Sequence, residues 1–147
     1  MSLDGAYEID NVFARILRDE LPSARVFEDE HTLAFLDAFP QCVGHTLVIS
    51  KWSRGRNVLE IEPAALCQVM TTVQRIARAL RTVLSPDGIH VAQFNGGDTG
   101  QTVFHLHVHV LPRWKDRDLQ LLQYYVPGVH ADPDEQRALA GRLAAAC

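Results

Sequence analysis

The sequence predicts an α+β fold, an antiparallel sheet of about five strands with one long helix and one or two shorter helices. Residues 102–111 alternate His105, His107 and His109 with apolar side chains, at the period of two that is typical of a strand. Apolar residues recur at helical spacing through residues 63–84. The helical patterns are separated from strand patterns that mostly follow one another, which favours an antiparallel sheet.

The three helical patterns have recognisable ends. The first covers residues 11–19, with its apolar side chains on one face. Pro63 suits the first turn of the long helix, and the Ser-Pro-Asp-Gly segment at 85–88 ends it. Asp132 can cap a final helix over residues 133–146. The apolar face of that last helix is thin, so it packs either on its own subunit or on a partner.

Five segments have strand patterns, and Gly44 breaks the chain before the third of them. They are residues 24–28, 32–37, 46–50, 89–94 and 102–111. The chain shows no internal repeat and no linker, and 147 residues suit one domain with its own core. We expect a single domain over residues 1–147, with a core at about 11–114 and a C-terminal extension at about 115–147.

Composition excludes several classes of protein. Hydrophobic residues make up 47% of the chain and charged residues 22%, as in ordinary globular proteins. A net charge of −4 gives no general attraction to nucleic acid. Apolar runs of 18 residues and signal-peptide patterns are absent, so we expect no membrane partner. The three cysteines are odd in number and far apart, which favours reduced thiols and a cytoplasmic location.

The three alternating histidines allow three interpretations. A single zinc needs its ligands at about 2.0–2.1 Å, whereas His105 and His109 would lie roughly 13 Å apart on a flat strand. Simple packing is the second interpretation, which three histidines in register disfavour. The third is chemistry on a substrate, because imidazole titrates near neutral pH and can act as nucleophile, base or acid. We favour this third interpretation.

A glycine-rich segment, residues 95–102, comes directly before the histidines. Such turns expose backbone N–H groups that can hold a phosphate. The segment is not a Walker loop, since Gln101 stands where lysine is required and a strand follows instead of a helix. Alone it would be an ordinary connection between strands. Next to the histidines, it suggests an anion held beside imidazole rings.

Four segments, taken in order, resemble the histidine triad (HIT) family. The His-x-His-x-His run lies within residues 95–113, and the segment 44–49 is similar to the one that carries the family's fourth histidine. Residues 27–40 and 13–22 also match. The resemblance covers about residues 11–114 and implies a HIT-like fold. It also implies a nucleotide hydrolase or transferase that acts at the α-phosphate.

The resemblance assigns catalytic roles to four histidines. It makes His107, the middle histidine, the nucleophile, with His105 and His109 beside it and His45 on another strand helping to fix the network. A neutral imidazole nitrogen can attack phosphorus to give a covalent nucleotidyl-histidine that water then hydrolyses. The flanking rings can donate hydrogen bonds to phosphate oxygens.

The resemblance also assigns substrate contacts. Asp37 matches the acid that binds the ribose hydroxyls, although a turn residue before Phe39 is the alternative. The positions that enclose the base are Phe13, Ile16 and Phe35, for which a role in the core alone is equally compatible. The positions on the phosphate side are Asn95, Gln101 and Thr102.

Two departures from the family concern metal. Many bacterial members carry a zinc-binding Cys-x-x-Cys at positions that are Asn11 and Ala14 here, and a further histidine where this chain has Ser53. The first triad histidine cannot form a tetrahedral site alone. We therefore expect no structural zinc, no other metal and no cofactor.

The function predicted from the resemblance is a purine nucleoside phosphoramidase, which forms a homodimer and acts on a purine nucleotide. A dinucleoside polyphosphate hydrolase is the nearest alternative and differs only in the leaving group. A non-catalytic nucleotide-binding scaffold is a different class, which the complete triad disfavours. A metal-binding protein is a more distant possibility.

Overall fold

A computed structural model describes residues 3–117 and 128–147 of the chain. The described elements are α1 (Val12–Leu17), β1 (Ala24–Glu28), β2 (Thr32–Leu36), β3 (Thr46–Ser50), α2 (Pro63–Leu84), β4 (Gly88–Ala92), β5 (His107–Arg113) and α3 (Pro133–Ala146), with a short 3₁₀ turn at Gly97–Thr99. The five strands form one sheet in the order β1-β2-β3-β5-β4, and every neighbouring pair is antiparallel. The predicted α+β fold is confirmed.

Local chemistry sets the ends of the two longer helices where the sequence predicts them. Pro63 begins α2, where its missing N–H costs nothing, and Ser85 ends it in the left-handed conformation at φ 47°. The carboxylate of Asp132 accepts hydrogen bonds from the N–H groups of Asp134 and Glu135 and caps α3. None of the helices within the described residues is long and apolar enough to cross a membrane.

The two faces of the sheet are covered differently. One face packs against α2 and α3 and buries the main core, which includes Ala34, Val48, Val108 and Val110 from the strands. The other face packs against α1 and buries a smaller cluster: Phe13, Ile16, Leu33, Phe35, Leu47 and Ile49. Side chains alternate along a strand, so Val108 and Val110 of β5 point into the main core, and His107 and His109 point to the face that α1 covers.

The structure corrects one sequence-based expectation about the helices and decides between two alternatives for the last helix. The apolar pattern of residues 63–84 includes Met70 and so predicts that it is buried, but Met70 is 42% exposed, because the buried face of α2 lies through Ala65, Val69, Val73 and Ile76. The thin face of α3 packs on its own subunit, against α2 and β1, with Leu143 fully buried. This packing joins the described part of the C-terminal extension to the rest of the chain.

The last strand begins later than its alternating pattern predicts. It starts at His107, whereas the pattern gave residues 102–111. The N–H of Leu106 donates to the carbonyl of Gly55, outside the sheet, at 2.9 Å. Residues 102–106 therefore alternate without belonging to the sheet, since a tertiary hydrogen bond takes the backbone N–H group that a strand would use. Only two triad histidines lie on β5.

Gly44 forms the turn that brings the chain into β3. Its φ of +87° is rare for residues with a side chain, and a Cβ atom there would lie 2.6 Å from Cδ1 of Leu84. The turn places His45 directly before β3, where the N–H of Asp37 donates to the His45 carbonyl at 2.9 Å. The glycine thus lets two residues of the candidate site approach each other.

Candidate active site

His107 lies at the start of β5, opposite Ile49 of β3, and its side chain is 6% exposed. Its Nδ1 atom lies 2.8 Å from the backbone carbonyl oxygen of His105. A carbonyl can only accept, so Nδ1 of His107 carries the proton and Nε2 keeps its lone pair. Burial lowers the pKa of this ring, which keeps it neutral at neutral pH. The arrangement is that of a nucleophile.

A chain of hydrogen bonds fixes the proton of His109. The N–H of Gln41 donates to Nδ1 of His45 at 3.1 Å, so the proton of a neutral His45 is on Nε2. That Nε2 lies 2.9 Å from Nδ1 of His109. Nδ1 of His109 therefore accepts, and its own proton is on Nε2. His109 is arranged as a donor, and its ring centre lies 5.0 Å from that of His107.

His105 lies just before β5, and both of its ring nitrogens are bonded within the protein. Nε2 lies 3.1 Å from the carbonyl oxygen of Ser50, and Nδ1 lies 2.7 Å from the hydroxyl of Tyr7. These bonds differ from the expectation that His105 donates to a phosphate, because the ring N–H already has an acceptor. The structure brings His105 to the site directly before His107, with its own ring N–H bonded to Ser50.

Burial keeps the histidine cluster neutral. It lowers the pKa of His45 to about 4, against the opposing charge of Asp37, and that of His105 to about 4. It also lowers the pKa of His109 to about 2, with the neighbouring rings acting in the same direction. Desolvation disfavours the imidazolium form in each case. Neutral rings are the form required for nucleophilic attack and for a directed N–H donor.

Asp37 follows β2 and lies beside the histidines. Its Oδ1 accepts from the N–H of Phe39 at 2.9 Å, and its Oδ2 is 3.6 Å from Nε2 of His45. Within the described residues, Asp37, His45 and His109 place one potential metal-ligand atom each within 4.8 Å of one another. A metal there would have to replace the hydrogen bond between His45 and His109. The group is therefore better suited to holding protons than to holding a resident ion.

The apolar residues predicted to enclose a base line one side of the histidines. The ring of Phe13 meets that of His107 edge-on, with centroids 4.8 Å apart, and meets Phe35 at 5.6 Å. Phe13, Ile16 and Phe35 are all buried in the smaller cluster. They form a wall next to the ring of His107 and also belong to the core, so the two interpretations of these positions are compatible.

The glycine-rich segment turns back on itself beside this wall. The side chain of Gln101 is buried, and its amide accepts from the N–H of Gly96 and donates to the carbonyls of Arg56 and Val103. The amide of Asn95 bonds to Gln93 and accepts from the N–H of Val58. Both side chains brace the turn, whereas Thr102 is exposed. Of the three residues predicted on the phosphate side, Thr102 is the most open to solvent.

The positions that carry zinc ligands in other members have different roles here. Asn11 caps α1 through its side-chain oxygen, which accepts from the N–H groups of Phe13 and Ala14. Ala14 is buried in the helix, and the hydroxyl of Ser53 donates to Glu62. These side chains present no thiol or imidazole at those positions.

Sequence reasoning missed Tyr7, Gln41 and Ser50, which set the protonation of the histidines. Two of the three act through backbone groups, whose partners do not depend on residue type. Tyr7 lies 98 positions from His105 and in no periodic pattern, so no local signal marks it.

Comparison with known proteins agrees with this geometry. The HIT domain model matches residues 18–116. The chain belongs to the HIT family. This HIT protein is 43% identical to Protein hit of Bacillus subtilis over 107 residues, which are 73% of each chain.

Two solved structures are also similar to the HIT protein. A HIT-like protein from Bartonella henselae, described as involved in cell-cycle regulation and crystallised with an unknown ligand, is 39% identical. It has a TM-score of 0.89, with 97% of this chain and 100% of that chain covered. A zinc-bound family member from Mycobacterium smegmatis is 36% identical with a TM-score of 0.77, with 94% and 93% covered. The family consists of nucleotide-binding proteins and nucleotide hydrolases.

Proposed function

We propose that this HIT protein hydrolyses or transfers a nucleoside monophosphate group through a covalent intermediate on His107, and that it is a purine nucleoside phosphoramidase. The observation that carries the proposal is the proton arrangement of the site. Nδ1 of His107 donates to a carbonyl, which leaves the Nε2 lone pair for attack, and the neighbouring His109 carries a proton on Nε2. A nucleophile and an N–H donor therefore lie side by side.

The proposed reaction has two steps. Nε2 of His107 attacks the α-phosphorus, a P–N bond to the ring forms, and the bond to the leaving amine breaks. A water held by the Nε2–H of His109 gives the departing amine its proton, while His109 and His45 both stay neutral and joined by their 2.9 Å hydrogen bond. The hydroxide that this water leaves then attacks the phosphorus, the P–N bond breaks, and Nε2 of His107 regains its lone pair. The carbonyl of His105 holds the Nδ1 proton of His107 throughout.

Substrate contacts follow from the same placement. The wall of Phe13, Ile16 and Phe35 would take the purine, and Asp37 the ribose hydroxyls. Thr102 and the N–H groups of the glycine-rich segment would meet the phosphate or leaving group, with Asn95 and Gln101 bracing that segment. In this assignment His105 supports His107 and His45 supports His109.

A comparison of leaving groups on one nucleotide series tests the proposal. Each molecule of protein should hydrolyse many molecules of adenosine phosphoramidate. Quenching the reaction early should trap protein that carries one nucleotidyl group. If a dinucleoside polyphosphate is cleaved faster than the phosphoramidate, the leaving group is a nucleoside phosphate and not an amine. Tight nucleotide binding without turnover of either compound would indicate a non-catalytic binding protein.

We expect Asp37 to set a preference for ribose over deoxyribose. If its carboxylate accepts from both sugar hydroxyls, a 2′-deoxynucleotide should bind more weakly, since a hydrogen bond to a charged group contributes roughly 1.5–3 kcal/mol. Asp37→Asn, which keeps the shape and removes the charge, should reduce the preference, and Asp37→Ala should abolish it. Calorimetric titration with AMP and its 2′-deoxy analogue measures this. Equal affinities in the unaltered protein would remove Asp37 from the site.

We also expect a homodimer. The helix α2 and the edge strand β4 present exposed apolar side chains, with Met70 42% and Val91 43% exposed. In a two-fold dimer the same patch meets itself, and a stable interface buries about 1,200 Å² or more in total. Light scattering at micromolar concentration should give twice the 16.4 kDa chain mass.

Substitutions at these positions locate the dimer contact. Met70→Glu with Val91→Glu should give monomers, because the charges would be buried without partners. Ile9→Glu, at another exposed apolar residue, serves as the matched control. A monomeric unaltered protein would contradict the expectation. A dimer that survives both glutamates but dissociates with Ala145→Glu, at an exposed position of α3, would move the contact to that helix.

A further inference from the structure

Residues 3–7 are held along one edge of the site by hydrogen bonds and close contacts. The carbonyl of Leu3 accepts from Nη1 of Arg56 at 3.1 Å and from Nδ2 of Asn57 at 2.8 Å. Gly5 lies against the guanidinium of the buried Arg56, where a Cβ atom would be 2.9 Å from Nη1. These contacts hold the segment that carries Tyr7, and the segment precedes the residues that the family model matches.

Tyr7 meets His105 with a defined direction of hydrogen bonding. The carbonyl of Ser50 can only accept, so Nε2 of His105 carries the proton. Nδ1 of the neutral ring then has a lone pair, and the hydroxyl of Tyr7 donates to it at 2.7 Å. The two rings also touch, with centroids 5.8 Å apart. Both nitrogens of this buried ring are thereby satisfied, and the ring has one orientation.

The orientation of His105 matters because its backbone holds His107. The carbonyl of His105 accepts the Nδ1 proton of His107 at 2.8 Å, which directs the Nε2 lone pair. Residues 105 and 106 lie outside the sheet ladder and are held by three bonds, from Tyr7, Ser50 and the carbonyl of Gly55. Ser50 and Gly55 contribute backbone carbonyls to these bonds, whereas Tyr7 contributes its side-chain hydroxyl. Of the three bonds, the one from Tyr7 can therefore be removed by substitution.

We propose that Tyr7 is a positioning residue for the nucleophile: its hydroxyl fixes the ring of His105, and the carbonyl of His105 directs His107. This inference rests on the proposed function where the effect of losing the Tyr7 hydroxyl is measured as a change in kcat. Small errors in the placement of a reacting group are costly in rate even when binding is unaffected. Loss of the hydroxyl therefore acts mainly on kcat.

The test compares two variants that each lose one hydroxyl. Tyr7→Phe keeps the ring and removes the bond to His105. Thr72→Val is the matched control, because Thr72 makes a buried hydroxyl bond of the same 2.7 Å length to Thr32, on the opposite face of the sheet. We expect Tyr7→Phe to lower kcat about tenfold with KM changed less than about twofold. Thr72→Val should lower the melting temperature at least as much and leave kcat unchanged.

A second measurement needs no substrate. Nitrogen-detected NMR of the histidine rings should show His105 protonated at Nε2, with Nδ1 accepting a hydrogen bond. In Tyr7→Phe the Nδ1 resonance should shift toward that of an unbonded imidazole nitrogen. The Nδ1 proton of His107 should exchange faster with water. Thr72→Val should change neither signal.

The outcomes separate this inference from the proposed function. If Tyr7→Phe retains at least half of kcat, or loses no more than Thr72→Val does, the positioning role is wrong. Unchanged His107 exchange would overturn it as well. If the unaltered protein cleaves no nucleotide substrate, the proposed function fails, and the NMR comparison still decides whether Tyr7 orders the two histidines.

Discussion

His107→Ala should abolish turnover while nucleotide binding stays close to that of the unaltered protein. The substitution removes the Nε2 lone pair that forms the proposed covalent intermediate, and losing such a nucleophile would cost several orders of magnitude in kcat. The wall of Phe13, Ile16 and Phe35 and the carboxylate of Asp37 are untouched. Steady-state kinetics with adenosine phosphoramidate and calorimetry with AMP measure the two effects separately.

Controls make the loss specific to the nitrogen. His107→Gln keeps a polar side chain at the position and should be equally inactive. Thr72→Val should stay active. The quenched reaction of the unaltered protein should place the nucleotidyl group on His107, and neither His107 variant should carry it. A variant that keeps more than about a tenth of kcat, a loss of less than roughly 1.4 kcal/mol in barrier, would rule out the covalent mechanism.

Stability should fall steeply as the pH drops below 6.5, the usual pKa of histidine. In the folded state burial lowers the pKa of His45 and His105 to about 4 and that of His109 to about 2. The unfolded chain therefore takes up protons below pH 6.5 that the folded chain does not. Each such histidine lowers the free energy of unfolding by about 1.4 kcal/mol per pH unit, until the pH reaches its folded pKa.

Urea unfolding at pH 7.0, 6.0 and 5.0 measures this slope above the range where most carboxylates titrate. His45→Gln should make the slope shallower by about 1.4 kcal/mol per pH unit, because one proton-binding group is lost from the unfolded state. Thr72→Val should lower stability at every pH and leave the slope unchanged. A stability that is constant between pH 7 and pH 5 would mean that the buried rings take up protons in the folded protein as they do in the unfolded chain.

The neutral state of these rings also bears on catalysis. A histidine of ordinary pKa would be partly protonated just below neutral pH and lose its nucleophilic lone pair. Because burial lowers the pKa of His107, the acidic limb of kcat should lie below pH 6.5. Burying these rings thus makes the fold sensitive to acid. In return, the ring proposed as the nucleophile stays unprotonated at neutral pH.

Much of the fold follows from local patterns in the sequence. The ends of α2 and α3 are where Pro63 and Asp132 predict them, because capping and proline geometry act within one helical turn. The strand β3 and the alternation of His107 and His109 with valines also match the structure. The family resemblance found the four histidines, since the spacing of a motif survives in the linear sequence.

Other features of the structure depend on contacts between segments that are far apart in the sequence. The pattern could not show that β5 begins at His107, because the competing bond joins Leu106 to Gly55. Nor could it show which nitrogen of each ring carries a proton. That choice depends on Gln41, Ser50 and the carbonyl of His105, which are backbone groups that any sequence would supply.

The sequence by itself determined the α+β class, the long helix and the triad, all of which rest on residue type at short spacing. The tertiary structure alone decided that Met70 faces outward and that Tyr7 reaches His105 across 98 positions. It also set the histidines' charge state, because desolvation depends on everything packed around a ring and a hydrogen bond on the direction of its partner. Those are properties of the folded chain, and no segment carries them alone.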